Sequence, residues 1–386
     1  MATVRGSRSG TDSGEPSVYD VLGVKTLINA AGTLTNLGGS LMSPEVLAAH
    51  ASAARHFVDM VELQDRIGER IAALLGVEAA LVTTGAAGAM LLATAAAVTR
   101  GDPARIAHLP DTTGMPCEAI TQKAHHTGYD HQVRACGVRL IDIETRLELE
   151  RAINERTALM LFYNLLEPDG KIGKEEWIEV ARRRGVPTLV DSAADVPPLE
   201  ALSQFNKLGF DLVAFSGGKA LGGPSNTGLL LGRKDLIEAA KRNASPNEGT
   251  IGRMLKVSKE DMVALWAAVE RYFRIDHDAE RREWERRVAE IARVLAEIPA
   301  VTTQPFMPPI ANHVPHLLVF WDESRIRIDR DEVTRQMAEG EPPIALGRVS
   351  GTGDRGLLIS VFQLKPGEEQ IVARRLAEIL RAAGAQ

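Results

Sequence analysis

Three stretches of this sequence combine residue types and spacing that can do chemistry. Lys219 lies in FSGGKALGGPSNTGLLLG (215–232), between two apolar runs and among Gly217, Gly218, Gly222 and Gly223. Glycines let a backbone turn sharply and a bulky planar ligand approach. A lysine at such an apolar strand end can lose its proton and condense with an aldehyde. The stretch is not a phosphate-binding P-loop, because Val213 stands where glycine is needed and Ala220 where Ser or Thr is needed. Taken alone, Lys219 reads more readily as a surface lysine in a flexible loop. In PTLVDSAAD (187–195), Asp191 directly follows an apolar run, 28 residues before the lysine. An acid there is costly unless a cation meets it, and a protonated pyridine nitrogen is one such cation. Capping the next helix or pairing with an arginine is the alternative use. Asp195 is the poorer candidate, with Pro197 and Pro198 marking the loop beyond it. The third stretch is TTGAAGAM (83–90), where Gly85, Ala86 and Ala87 would expose backbone N–H groups at a helix start. That end of a helix favours an anion, with Thr84 or Ser216 adding a hydroxyl, although close helix packing also selects alanine.

The chain order of phosphate cradle, aspartate and glycine-flanked lysine is far more specific than any member. Together the three point to pyridoxal 5′-phosphate (PLP) held in an aspartate-aminotransferase-like fold, fold type I. The elements that must position them follow the same pattern. Short apolar runs at 25–32, 79–88, 138–143, 157–164, 187–195, 211–218 and 227–232 lack strict alternation, as strands covered on both faces do. Between them lie amphipathic helices, one entered through Ser43 and Pro44 and one ended by Gly185. Strand–helix alternation predicts an α/β architecture, a mostly parallel central sheet with helices on both faces. The expected organisation is a disordered head over 1–16, a large PLP-binding domain over 17–257, a linking helical segment over 258–300 that breaks near Asp276 to Asp278, and a small C-terminal α+β domain over 301–386.

Composition excludes other classes. The 386 residues carry 45 Lys and Arg against 51 Asp and Glu, a net charge of −6, so the chain lacks the basic balance of a nucleic-acid binder. No apolar run reaches membrane-spanning length, and the head has no apolar segment of a secretory signal. Cys117 and Cys136 make no disulfide framework and read as thiols of a cytoplasmic protein. His125, His126, Asp130 and His131 cluster, as do His313 and His316, but neither group has a recognised ligand spacing, so no metal is expected. Arg253, Lys256 and Arg348 read either as an anion pocket or as a solvated basic face.

Five stretches resemble the selenocysteine synthase (SelA)-like branch of fold type I. They are LINAAGTLTNLGGSLMSPEVLAA, RIAALLGVEAALVTTGAAGAMLLA, SGGKALGGPSNTGLLLG, GTIGRMLKVSKEDMVAL (249–265) and PPIALGRVSGTGDRGLLISVFQL (342–364). In size the match is with the D-glucosaminate-6-phosphate ammonia-lyase subgroup. The resemblance implies that Lys219 is the cofactor-linking lysine and Asp191 the partner of the pyridine nitrogen. It places the phosphate at Gly85, Ala86 and Ala87, and His125 over the ring. It also brings Thr250 and Gly252 near the cofactor phosphate of a neighbouring subunit, which implies a homodimer or larger homo-oligomer with shared active sites. Arg348 would face the substrate's acid group, with Arg253 beside it. The tRNA-dependent members carry an extra N-terminal domain and an arginine where this chain has Phe362, so a tRNA substrate is not expected. The implied activity is a lyase removing water and ammonia from a small β-hydroxy amino acid or amino sugar acid. Racemase, aminotransferase or β-replacement chemistry, and a non-catalytic binding protein on the same scaffold, are the alternatives.

Overall fold

A computed structural model describes residues 17–347 and 356–384. Its strands are β1 (Ile28–Ala30), β2 (Ala79–Thr83), β3 (Glu118–Gln122), β4 (Arg139–Ile143), β5 (Thr157–Tyr163), β6 (Thr188–Asp191), β7 (Leu212–Ser216), β8 (Gly228–Gly232), β9 (Val301–Phe306), β10 (His316–Trp321), β11 (Ile344–Leu346) and β12 (Leu357–Ser360). Contacts divide the chain into two units. The larger takes residues 38–275 with 308–313, and the smaller takes the chain up to 37, 276–307 and 314 onward.

The larger unit is built on a seven-stranded sheet of order β2-β8-β7-β6-β5-β3-β4. Its neighbouring strands pair in parallel except β8, which is antiparallel to both β2 and β7. Reversing β8 lets β2 and β7 run in the same direction, so the C-terminal ends of the other six strands share one edge. The apolar run of β5 is buried throughout, as both faces of a covered sheet require. Helix Gly85–Thr99 is apolar all round and buried from Gly88 to its end, which suits a helix enclosed by the sheet on one side and helix Lys234–Asn243 on the other. Its Thr94 and Thr99 hydroxyls are satisfied by the carbonyls of Met90 and Ala95 at 2.8 and 2.7 Å. Ser43 caps helix Pro44–Ala53, and Gly185, at φ 68°, ends helix Lys174–Arg184, the positions the sequence marks.

Strand β3 (EAITQ) was not among the apolar runs because both ends are polar. Tertiary partners make its burial tolerable: Glu118 meets Arg139 and Arg156 at 2.7 and 3.0 Å, and Gln122 exchanges hydrogen bonds with the Ile172 backbone at 2.8 and 2.9 Å. On the opposite face from the long helix, Phe162 lies fully buried, edge-on to His125 at 4.8 Å and 5.8 Å from both Trp177 and Phe210.

In the smaller unit β10 pairs antiparallel with β9 and β12, and β1 pairs in parallel with β11. Helices His277–Leu295 and Glu368–Gly384 pack together over a core that includes Ile291, Leu317, Ile359 and Leu376. Two elements lie differently from the sequence-based boundaries. The apolar run at 28–30 joins the smaller unit through β11, because an apolar run states that a strand is buried and not which sheet it joins. The 258–300 segment is two helices, Lys259–Arg274 in the larger unit and His277–Leu295 in the smaller, with Asp276 capping the second through Ala279 N at 2.9 Å. Among the described residues no helix is long and apolar enough to cross a membrane.

Truncating the aromatic cluster tests this core. Phe162→Ala should cost about 3–5 kcal/mol through lost burial and a residual cavity, read as a lower denaturant midpoint with an unchanged slope.

Candidate active site

The candidate residues of the larger unit come together where the parallel strands end. In register, Thr83 and Ser216 both oppose Gly228, Asp191 opposes Ala214, and Tyr163 opposes Asp191. Ligands of open α/β sheets bind at this carboxyl edge.

The helix Gly85–Thr99 starts directly beyond β2. Thr84, its N-cap residue, makes no side-chain capping bond, and its buried hydroxyl has no hydrogen-bond partner. Residues 84–87 are half-buried, so backbone N–H groups of the first turn face outward with the positive end of the helix dipole. Gly228 is what lets this turn approach the sheet: a Cβ there would fall 2.3 Å from the Gly85 carbonyl carbon.

Lys219 sits in a loop held by its own backbone. Gly217 N–H donates to Thr227 O at 2.8 Å, Gly223 N–H to Gly217 O at 2.9 Å, and Gly222 N–H to Lys219 O at 3.0 Å. Gly218 is needed for this closeness, since a Cβ would lie 2.3 Å from Ser225 Cα. Ser40 Oγ fastens the loop from outside by donating to Gly218 O at 3.0 Å. Lys219 is half-buried, and among the described residues its ammonium has no hydrogen-bond or contact ion-pair partner. Burial lowers its pKa, while Asp191 and then Asp195 draw it back up. Ser216, ending β7, is half-buried two residues before the loop turns.

Asp191 is crowded by protein yet keeps accessible surface, the signature of a group lining a cleft. Burial raises its pKa, countered by a 3.0 Å hydrogen bond from Ala193 N–H and by the field of Lys219. The site therefore offers an uncapped helix end for a phosphate, a carboxylate for a ring nitrogen and an unpaired lysine for an aldehyde. These residues fit PLP.

Two further residues belong to this edge. Asn164 follows β5 directly, beside β6, which Asp191 ends, and is 6% exposed with an unpartnered Oδ1. The polar residue closing the run TALMLFYN was the signal for it. Asp195, passed over in favour of Asp191, is 7% exposed with an unpartnered Oδ2. Burial pushes its carboxyl up to about 6, against the pull of Asn164 and Ser192 beside it and of Lys219.

His125 has no accessible surface. Its Nδ1 lies 3.5 Å from Tyr163 N and its Nε2 3.3 Å from Gln122 Nε2. Burial pulls its pKa down to about 4, against a hydrogen bond with the Leu166 backbone, so its ring is neutral at neutral pH. The structure thus packs His125 against Phe162 and does not bring it into the open cleft. His126 is instead clamped by Asp130 at 2.5 Å and Asp142 at 2.9 Å, and Tyr163 O–H donates to the other oxygen of Asp130 at 3.0 Å. Thr250 donates to Asn247 O at 3.1 Å, and Gly252 lies against Leu92 and Asn243 of its own chain. Arg253 and Lys256 are exposed. Arg348 lies outside the described residues. Among the described residues no three His, Cys, Asp or Glu side chains converge as a metal site would require.

Comparison with known proteins gives the family. Residues 133–296 match the family model described as SelA, L-seryl-tRNA selenium transferase. The chain is 31% identical over 380 residues to D-glucosaminate-6-phosphate ammonia lyase of Salmonella typhimurium, covering 94% of this chain and 98% of that protein. It is 30% identical over 376 residues to a 5′-C-glycyluridine monooxygenase-decarboxylase of a Streptomyces species, covering 94% and 92%. A solved structure of D-glucosaminate-6-phosphate ammonia-lyase superposes with a TM-score of 0.83 at 30% identity, covering 95% of this chain and 99% of that one. The shared edge of helix end, aspartate and lysine, with matches of this length, establishes that the chain belongs to the SelA-like family of fold type I, PLP-dependent enzymes.

Proposed function

We propose that this chain binds PLP and acts as an ammonia-lyase on a small β-hydroxy amino acid or amino sugar acid. The observation that carries the reading is Lys219, held by a glycine loop without a contact counter-ion and facing Asp191 across the strand ends. The end-to-end similarity to an ammonia lyase for an amino sugar phosphate supports the reaction class.

PLP supplies an aldehyde for the substrate's amine and an electron-withdrawing ring for the charge left at its α carbon. In this reading the backbone N–H groups of Gly85, Ala86 and Ala87 hold the phosphate, with Thr84 and Ser216 offering hydroxyls. Asp191 keeps the ring nitrogen protonated, and burial makes that pairing strong. Lys219 Nζ takes the α proton, for which its depressed pKa and freedom from a contact partner suit it. The substrate's β-hydroxyl would leave as water by taking up the proton that Lys219 Nζ removed from the α carbon. A water returned during hydrolysis releases ammonia, so the net change is one substrate to one 2-keto acid and one ammonia. His125, neutral and enclosed, would help shape the pocket that holds the cofactor. Arg253 and Arg348 are assigned to an acidic substrate group, with Lys256 as a further cation.

The proposal includes a homo-oligomer with shared sites, with Thr250 and Gly252 reaching a neighbour's cofactor phosphate. Exposed apolar side chains support it: Phe57, Leu41 and Met254 in the larger unit, and Val18, Val21 and Leu22 in the smaller. Free Cys117 and Cys136 accord with a cytoplasmic setting, and the acidic charge with a substrate that is not a nucleic acid. A second reading has a specific basis. A relative of nearly equal identity is named for a monooxygenase-decarboxylase, so other PLP chemistry on an amino acid is the rival reaction.

Two measurements test the assignment. Borohydride reduction of the PLP-loaded chain, followed by peptide mapping, should place the label on Lys219, and Lys219→Ala should lower turnover at least 10³-fold, roughly what loss of a base that also tethers the cofactor implies. A label on another lysine overturns the site. Asp191→Asn should retain PLP but lower kcat by about two orders of magnitude or more, with ammonia and keto-acid release as the assay. Near-normal turnover would reduce Asp191 to a turn former.

A further inference from the structure

Asp195 is an expensive residue whose carboxylate has only the neutral side chains of Asn164 and Ser192 beside it. It is buried, yet among the described residues no backbone N–H donates to its carboxylate, as a turn or helix cap would require, and no cation lies within ion-pair contact. One of its oxygens, Oδ2, has no hydrogen-bond partner. The turn carrying it is nevertheless pinned from every side. Asp195 N–H donates to Ser192 O at 3.2 Å, Ser192 N–H to Ala214 O at 3.0 Å, and Asn312 N–H to Ala194 O at 2.7 Å. Rigid backbone thus holds two carboxylates, Asp191 and Asp195, at the two ends of one short turn. The charged groups that act on Asp195 are those of Asp191 and Lys219, with Asn164 from the end of β5 and Ser192 as neutral neighbours. The segment 308–313 packs on the turn through Asn312, and the His313 it carries is occupied at Nδ1 by Pro308 O at 2.8 Å.

We propose that Asp195 is a positioning residue of this site, a buried carboxylate kept at the expense of stability, which with Asp191 draws the Lys219 side chain into place and strengthens it as a base. The inference rests on the reading of Lys219 as the base. Two carboxylates near one ammonium leave the cluster negative when all are ionised, so one of the acids must hold its charge against both burial and its neighbour. Asp191 is helped by a backbone donor, and Asp195 only by the neutral side chains of Asn164 and Ser192.

The stability consequence has a definite sign. An unfolded aspartate titrates near 3.9, whereas folded Asp195 is pushed up to about 6. Between those values the folded chain keeps a proton that the unfolded chain has lost, so stability falls as pH rises through that window and the penalty is complete above it. Removing the charge should therefore stabilise the neutral-pH protein, the reverse of deleting a cap.

The full-length chain and its D195N and D195E variants supply the test. Thermal melts without added cofactor should show D195N melting roughly 3 °C or more above wild type at pH 7.5, with the gap closing by pH 4.5. D195N melting below wild type at pH 7.5 would make Asp195 structural and overturn the proposal. In the PLP-loaded chain, the pH midpoint of the visible absorbance change should fall by half a unit or more in D195N and return in D195E. An unchanged midpoint in D195N overturns the effect on Lys219. A chain that takes up no PLP would sink the functional reading, and the base-strengthening role with it, while the melts would still decide whether the carboxylate is kept against stability.

Discussion

A single lysine ammonium held near two carboxylates, one buried and one half-buried, is the constraint around which the larger unit is organised. Lys219, Asp191 and Asp195 interact through a medium poorer in water than the surface, where each charge is costly alone and none is neutralised by direct contact. Such an arrangement persists only if the backbone imposes it. The glycine loop around Lys219 does so by closing on itself through main-chain hydrogen bonds, with Ser40 as an external clasp. The turn from Asp191 to Asp195 does so through bonds to β7 and to the segment 308–313.

The sheet's strand directions explain why an anion site lies beside these charges. Because β8 alone is reversed, β2 and β7 end at the same edge, and the helix after β2 begins where the lysine loop begins. That helix buries its length on alanines and leaves its first turn uncapped. Close approach needs Gly228, whose hydrogen in place of a side chain admits the Gly85 backbone. Cation-seeking carboxylates, an amine and an anion-seeking helix end are thereby brought together by main chain, with few side chains committed.

A scaffold of this kind does not name a reaction. The relatives at 31% and 30% identity are named for different chemistries, though both match this chain almost from end to end. The lysine, the aspartate and the helix end supply what PLP chemistry shares. Selectivity must come from groups that touch the rest of the substrate. Neutral, enclosed His125 and unpartnered Asn164 show how much of that surrounding is set by burial.

Much of this was legible in one sequence. Six of the seven strands of the large sheet announce themselves as short apolar runs, and the lysine, the aspartate and the small-residue loop each stand directly at the end of one, because the carboxyl ends of parallel strands are where a chain can turn and expose a polar group. β3 was not legible, since Glu118 and Gln122 are buried only by partners distant in the chain. Nor was the partition of the units, as the run at 28–30 finds its partner at 344–346. The sequence by itself determined the class of fold and which residues are candidates for the chemistry, because residue type and local period are properties of neighbours along the chain. Only the tertiary structure decided that His125 is enclosed and that Asp195 joins Asp191 and Lys219, because burial and charge coupling depend on what lies across space.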